Sequence, residues 1–139
     1  MGYTHYYKLP QKKIIDEIWD KFTSDVNKLL IKPYVALGNA WGQRGSSPTV
    51  DDVQVSLNGI EDNAHETLLI EREVHIREFV KTARKPYDRV VVSILTLAHY
   101  QLGMEVLSDG NRDEWRTGVR YLNLVLKTDY DIPDTIRKK

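Results

Sequence analysis

One helix-length segment constrains this chain more than any other. From Pro86 to Leu102 the apolar residues Val90, Val91, Val92, Ile94, Leu95, Leu97, Ala98 and Leu102 surround almost the whole cylinder, and Gly103 stands where a C-cap belongs. A helix apolar on most sides has to be covered on most sides, against a sheet or between subunits. A chain of 139 residues is long enough to bury one core without disulfide staples. The expectation is therefore a single α+β domain over residues 1–128, followed by a polar, flexible tail over 129–139.

The rest of the chain supplies elements to pack against that helix. Residues 2–8 alternate and are rich in tyrosine and threonine, a first strand with Tyr3, His5 and Tyr7 on one face and Thr4, Tyr6 and Lys8 on the other. Pro10 suits the first turn of a helix, and the stripe Ile15, Ile18, Trp19, Phe22, Val26, Leu29 and Leu30 carries it to Pro33. Residues 34–37 read as a short strand and 38–48, with three glycines, as a long loop. Two more strands are expected over 53–57 and 67–74, and another over 104–107. A last helix opens near Arg112 with Asn111 and Glu114 as a capping pair and the stripe Trp115, Val119, Leu122 and Leu126. The order is β-α-β-β-β-α-β-α, with three helices on a mainly antiparallel sheet.

Charge narrows the partners. Twenty basic and twenty acidic residues cancel, so no global field favours long nucleic acid or an anionic membrane, and any anion binding must be local. The absence of cysteine removes thiolate nucleophiles and Cys-type zinc sites. The opening residues are polar and aromatic rather than a signal peptide, and no apolar run approaches a membrane span, so a cytoplasmic protein is expected. His5, His65, His75 and His99 show no metal-ligand spacing, and no Walker, Rossmann or GxSxG pattern is present, so neither a metal nor a cofactor is expected.

The local exception is Lys81-Thr82-Ala83-Arg84-Lys85-Pro86-Tyr87-Asp88. It sets three cations at the entry of the apolar helix, where the dipole and unpaired N–H groups already favour an anion. With Pro86 at the first helical position, Lys85 becomes the cap. Lys81, Arg84, Lys85 and the Thr82 hydroxyl could then surround a phosphate or carboxylate. The competing reading gives the first turn to Asp88 and pairs Arg84 with a surface acid. The rings Tyr3, His5, Tyr7 and Tyr87 suit stacking on a planar ligand, or alternatively core packing. Ser108-Asp109-Gly110 offers Asp109 as a hydroxyl or base acceptor, or is a plain turn.

These segments resemble a family of small uncharacterised proteins of phages and bacterial genomes. The resemblance rests on the Gly2-Tyr3-Thr4-His5-Tyr6 opening, the block from Lys81 to Asp88 and Ser108-Asp109-Gly110, under a fifth of the chain; residues 39–50 look particular to this sequence. It implies a phage or prophage context and carries no reaction. In that context the expected function is sequestration, without catalysis, of a small anionic nucleotide signal such as a cyclic oligonucleotide or cyclic ADP-ribose derivative. Lys81, Thr82, Arg84 and Lys85 would hold phosphates, Tyr3, His5, Tyr7 and Tyr87 the base and ribose, and Asp109 a hydroxyl. A homo-oligomer is expected from the apolar helix. The alternatives are an enzyme on the same ligand class, with His5 or Asp109 as acid–base residue, and an inhibitor that docks on a host effector.

Overall fold

The computed structural model describes residues 2–10, 13–73 and 77–138. It is an α+β fold of three helices and two three-stranded antiparallel sheets. In chain order the elements are β1 (Thr4–Lys8), α1 (Asp16–Leu29), β2 (Thr49–Val50), β3 (Gln54–Leu57), a 3₁₀ turn (Glu61–Asn63), β4 (Leu68–Glu71), β5 (Glu78–Lys81), α2 (Asp88–Leu102), β6 (Glu105–Ser108) and α3 (Arg112–Leu126). The expected class holds, with one strand more than the sequence order foresaw.

The apolar helix finds its cover inside the chain. α2 packs on α1, α3 and β6, and every residue from Val90 to Ala98 is buried. The subunit interface invoked to cover it is not required. Gly118 allows α3 to lie close, since a Cβ there would come within 2.5 Å of Val92 Cγ1. Gly103 ends α2 at φ 72°, a left-handed conformation that costs glycine little. α1 starts at Asp16, not near Pro10, so its buried stripe is Trp19, Phe22, Val26 and Leu29 while Ile15 and Ile18 stay exposed.

β1 is the central strand of the first sheet, order β5-β1-β6. Its alternation sends Tyr3, His5 and Tyr7 inward, as the period-two pattern requires. The second sheet, order β2-β3-β4, meets the first through Tyr7, whose hydroxyl donates to the Leu69 carbonyl at 2.7 Å and accepts from the Leu69 N–H at 3.2 Å. Residues 34–37 form no strand. Gly38 instead makes an isolated bridge to Asn58, and Tyr34 adopts φ 59°. The strand expected over 67–74 is β4, and Val74 lies outside the described residues.

The chain beyond α3 is not a loose tail. Ile132 and Ile136 are buried in the core, Asn123 binds the Tyr130 backbone from both ends of its amide, and the Arg112 N–H donates to the Arg137 carbonyl at 2.8 Å. Two isoleucines four residues apart give that segment enough apolar surface to dock.

Candidate functional site

Sheet order decides which distant residues meet. Because β1 lies between β5 and β6, His5 stands opposite Val80 on one side and Ser108 on the other. Thr82, just past β5, and Asp88, the first residue of α2, close over the same ring. Trp115 of α3 meets it edge-on, with centroids 5.3 Å apart, and Tyr3 does so at 5.1 Å. Residues 2–6, 81–88 and 108–110, far apart in the sequence, thus converge on one histidine.

His5 is fully buried. Its Nδ1 lies 2.7 Å from Ser108 Oγ and its Nε2 lies 2.7 Å from Asp88 Oδ1. Counting donors fixes the proton. Ser108 Oγ accepts from the Gly110 N–H at 2.8 Å and from Trp115 Nε1–H at 3.0 Å. Both hydroxyl lone pairs are thereby used, so the hydroxyl hydrogen donates to Nδ1 and the imidazole donates from Nε2 to Asp88. Asp88 Oδ1 accepts a further bond from the Thr82 hydroxyl at 2.6 Å. The order Ser108, His5, Asp88 has the polarity of a nucleophile, base and carboxylate relay. Its serine oxygen, however, is saturated by two donors and its histidine has no solvent contact. The arrangement works as a clasp tying both edges of β1 to α2 and α3.

The surface of this clasp carries the cations. Ala83 and Arg84 are consecutive left-handed residues, φ 53° and 56°. They lay the Arg84 guanidinium 4.1 Å above the Tyr3 ring centroid, a cation–π contact. The same guanidinium reaches Glu114 Oε2 from both Nε and an Nη, each at 3.0 Å. Burial, with the charges of Asp88 and Glu114, raises the Tyr3 pKa well above the usual phenol value. Its hydroxyl is therefore neutral across the physiological range.

Several expected ligand contacts are spent elsewhere. The Tyr7 hydroxyl is used between the sheets, and the buried Tyr87 donates to the Glu66 carbonyl at 2.5 Å. Burial raises both phenol pKa values strongly. Neither ring offers a free face for stacking. Lys85 Nζ donates to the Asp62 carbonyl at 2.9 Å; the Lys81 backbone N–H donates to Glu66, and the Lys81 ammonium has no ion-pair partner among the described residues. Asp109 accepts from the Thr4 N–H at 3.0 Å while its own N–H donates to the Thr4 carbonyl at 2.9 Å, so its carboxylate extends the β1–β6 ladder. Lys85 does not cap α2, whose N-cap is Tyr87, and Asp88 serves His5 and Thr82 rather than the first turn.

Tyr3, His5, Thr82, Arg84 and Asp109 therefore come together, whereas Tyr7, Tyr87 and Lys85 turn to other partners. Sequence reasoning offered Ser108 beside Asp109 as a ligand contact, not as the partner of His5, and gave no sign of Glu114 and Trp115 as members of the cluster. It also passed over Arg112, Arg116 and Arg120, whose four-residue spacing puts three guanidiniums on one face of α3. Among the described residues no group of three acidic or histidine side chains could hold a metal, and no helix is long and apolar enough to cross a membrane. His75 lies outside them.

Against known proteins, the chain matches no family model, and no curated protein or solved structure is significantly similar to it.

Proposed function

We propose that the protein binds and sequesters a small anionic nucleotide signal at the Arg84–Tyr3 surface, acting as a phage sponge in the cytoplasm of the bacterial host. One observation carries the reading: the backbone strain at Ala83 and Arg84. Two side-chain-bearing residues in the left-handed region cost about 1–2 kcal/mol each, and such strain concentrates at ligand clamps. Here it holds a bidentate guanidinium over an aromatic ring, in front of a carboxylate that a phosphate can replace. Glu114 is the stand-in for the ligand's anion. Lys81, whose side chain lies against Gly2 and has no ion-pair partner among the described residues, is the second cation of this reading.

The base-stacking part of the expected site is lost: Tyr3 is itself buried beneath the Arg84 guanidinium, so recognition at this surface rests on charge. Self-association rests on the outer face of the first sheet, where exposed Phe79 and Leu107 flank Tyr6 in one cross-strand row. A second copy would cover that row.

A thermal-shift panel of cyclic oligonucleotides and ADP-ribose derivatives tests the proposal. A binder should stabilise the fold by about 2.7 kcal/mol at a hundredfold excess over its dissociation constant, and intact ligand should return on denaturation. Arg84→Ala should lose the shift. A wild type that responds to nothing, or an Arg84→Ala variant that responds equally, removes the reading. Appearance of a product would replace the sponge by an enzyme.

A further inference from the structure

We infer that the outer face of α3 and the segment after it form a second anion site, which takes a small molecule bearing two or more linked phosphates. The site is an open cleft of about 520 Å³ lined by Arg112, Arg116, Arg120, Asn123, Tyr130 and Asp131, among others. That volume is within the range of small-ligand sites.

Charge chooses the occupant. Three guanidiniums and one carboxylate line the cleft. Arg116 pairs with Asp113 at 2.8 Å, at the exposed surface. Arg112 reaches only backbone, the Pro133 and Ile132 carbonyls at 3.3 and 3.4 Å. Arg120 has neither an ion pair nor a hydrogen bond among the described residues. Like charges four residues apart on a helix repel, and Arg112, the first residue of α3, also faces the positive end of the dipole. An anion lying along the row removes each of these penalties.

Geometry sets the ligand's length. Successive arginines stand about 6 Å apart along the axis, so one anion of a single-phosphate size engages one or two of them, whereas linked phosphates span the row. Each guanidinium fork matches a phosphate edge in a bidentate manner. Arg112 and Asn123 bind the backbone of the following segment, and the Tyr130 ring is stacked on Tyr100 with centroids 4.9 Å apart. This site shares no residue with the Arg84 surface, and it stands whether or not that surface binds a nucleotide.

Isothermal titration of the full chain with inorganic tripolyphosphate, pyrophosphate, monophosphate and sulfate tests it at physiological ionic strength. Tripolyphosphate should bind tightest, and both Arg120→Ala and Arg116→Ala should weaken it about tenfold or more. Arg44→Ala, a surface arginine paired with Glu61 elsewhere, should bind as the wild type does. Arg120 is exposed and unpartnered, so its removal leaves the fold intact, which circular dichroism checks. Absence of tripolyphosphate binding, equal affinity for sulfate, or an unchanged Arg120→Ala affinity would each overturn the assignment. Tighter binding of a short single-stranded oligonucleotide than of tripolyphosphate would overturn the small-molecule occupant.

Discussion

Two regions of this protein collect polar and charged side chains, and they use them in opposite ways. Around the fully buried His5, serine, aspartate, threonine and tryptophan turn their hydrogen bonds on one another. Along Arg112, Arg116 and Arg120, guanidiniums outnumber the groups that could answer them, and the cleft is open to solvent. The first region holds the fold and lends rigidity to Arg84 at its surface. In the second, Arg112 holds the segment after α3 and Arg116 pairs with Asp113, while Arg120 has neither an ion pair nor a hydrogen bond among the described residues. Adjacency in sequence does not separate these roles. The cations from Lys81 to Lys85 draw the eye, yet two of the three are occupied by neighbouring chain.

Mutation can break this contrast. His5→Ala takes from the Ser108 hydroxyl and from Asp88 their histidine partner and opens a cavity beside Trp115. It should cost about 3–5 kcal/mol in urea unfolding. A loss below about 1 kcal/mol would mean that the clasp is not structural. Gly110→Ala drives a methyl group into the Tyr3 hydroxyl and should cost about 1–3 kcal/mol by the same measurement. Ala83→Gly tests the strain: releasing one left-handed residue offsets the added freedom of the unfolded chain, for a net gain of up to about 1 kcal/mol. If the strain serves binding, the same variant should bind its nucleotide more weakly. Arg120→Ala should change stability by less than about 0.5 kcal/mol, which sharpens the contrast with His5.

Acid offers a further test of spent charge. Burial resists ionisation of Asp25, but hydrogen bonds from Lys21 and Gln101 and the nearby charges of Lys21 and Lys28 outweigh it and hold the carboxyl below its ordinary value of 3.8. A depressed folded pKa contributes stability above the unfolded pKa and loses it as pH falls through the folded one. Stability should decline below about pH 4, and Asp25→Asn should flatten that decline in pH-dependent urea titrations.

Much of the fold was legible because periodicity and capping act locally. The inward row of β1, the stripe from Trp19 to Leu29 and the Asn111–Glu114 capping box, with both bonds formed, follow from spacing alone. β5 was not legible: four residues, with exposed Phe79 and charged ends, carry no pattern that distinguishes a strand from a loop. Ile132 and Ile136 were hidden by the polar residues around them. The candidate site was legible in part. Alternation placed Tyr3 and His5 on one face, but only the strand order brings Ser108 and Thr82 to either side of His5, and only the path of α3 supplies Glu114.

That strand order also bears on how the chain acquires its shape in time. The strand nearest the start of the sequence is the centre of its sheet, and Ser108, which completes the His5 clasp, stands 103 residues downstream. Closing so long a loop has an entropic cost that no local contact offsets, and such topologies fold slowly. Until β6 arrives, one edge of β1 has no strand to pair with and His5 Nδ1 lacks the Ser108 hydroxyl. A nascent chain would depend on α1 and the second sheet, assembled from nearer neighbours, to hold it compact while its first strand waits for its last.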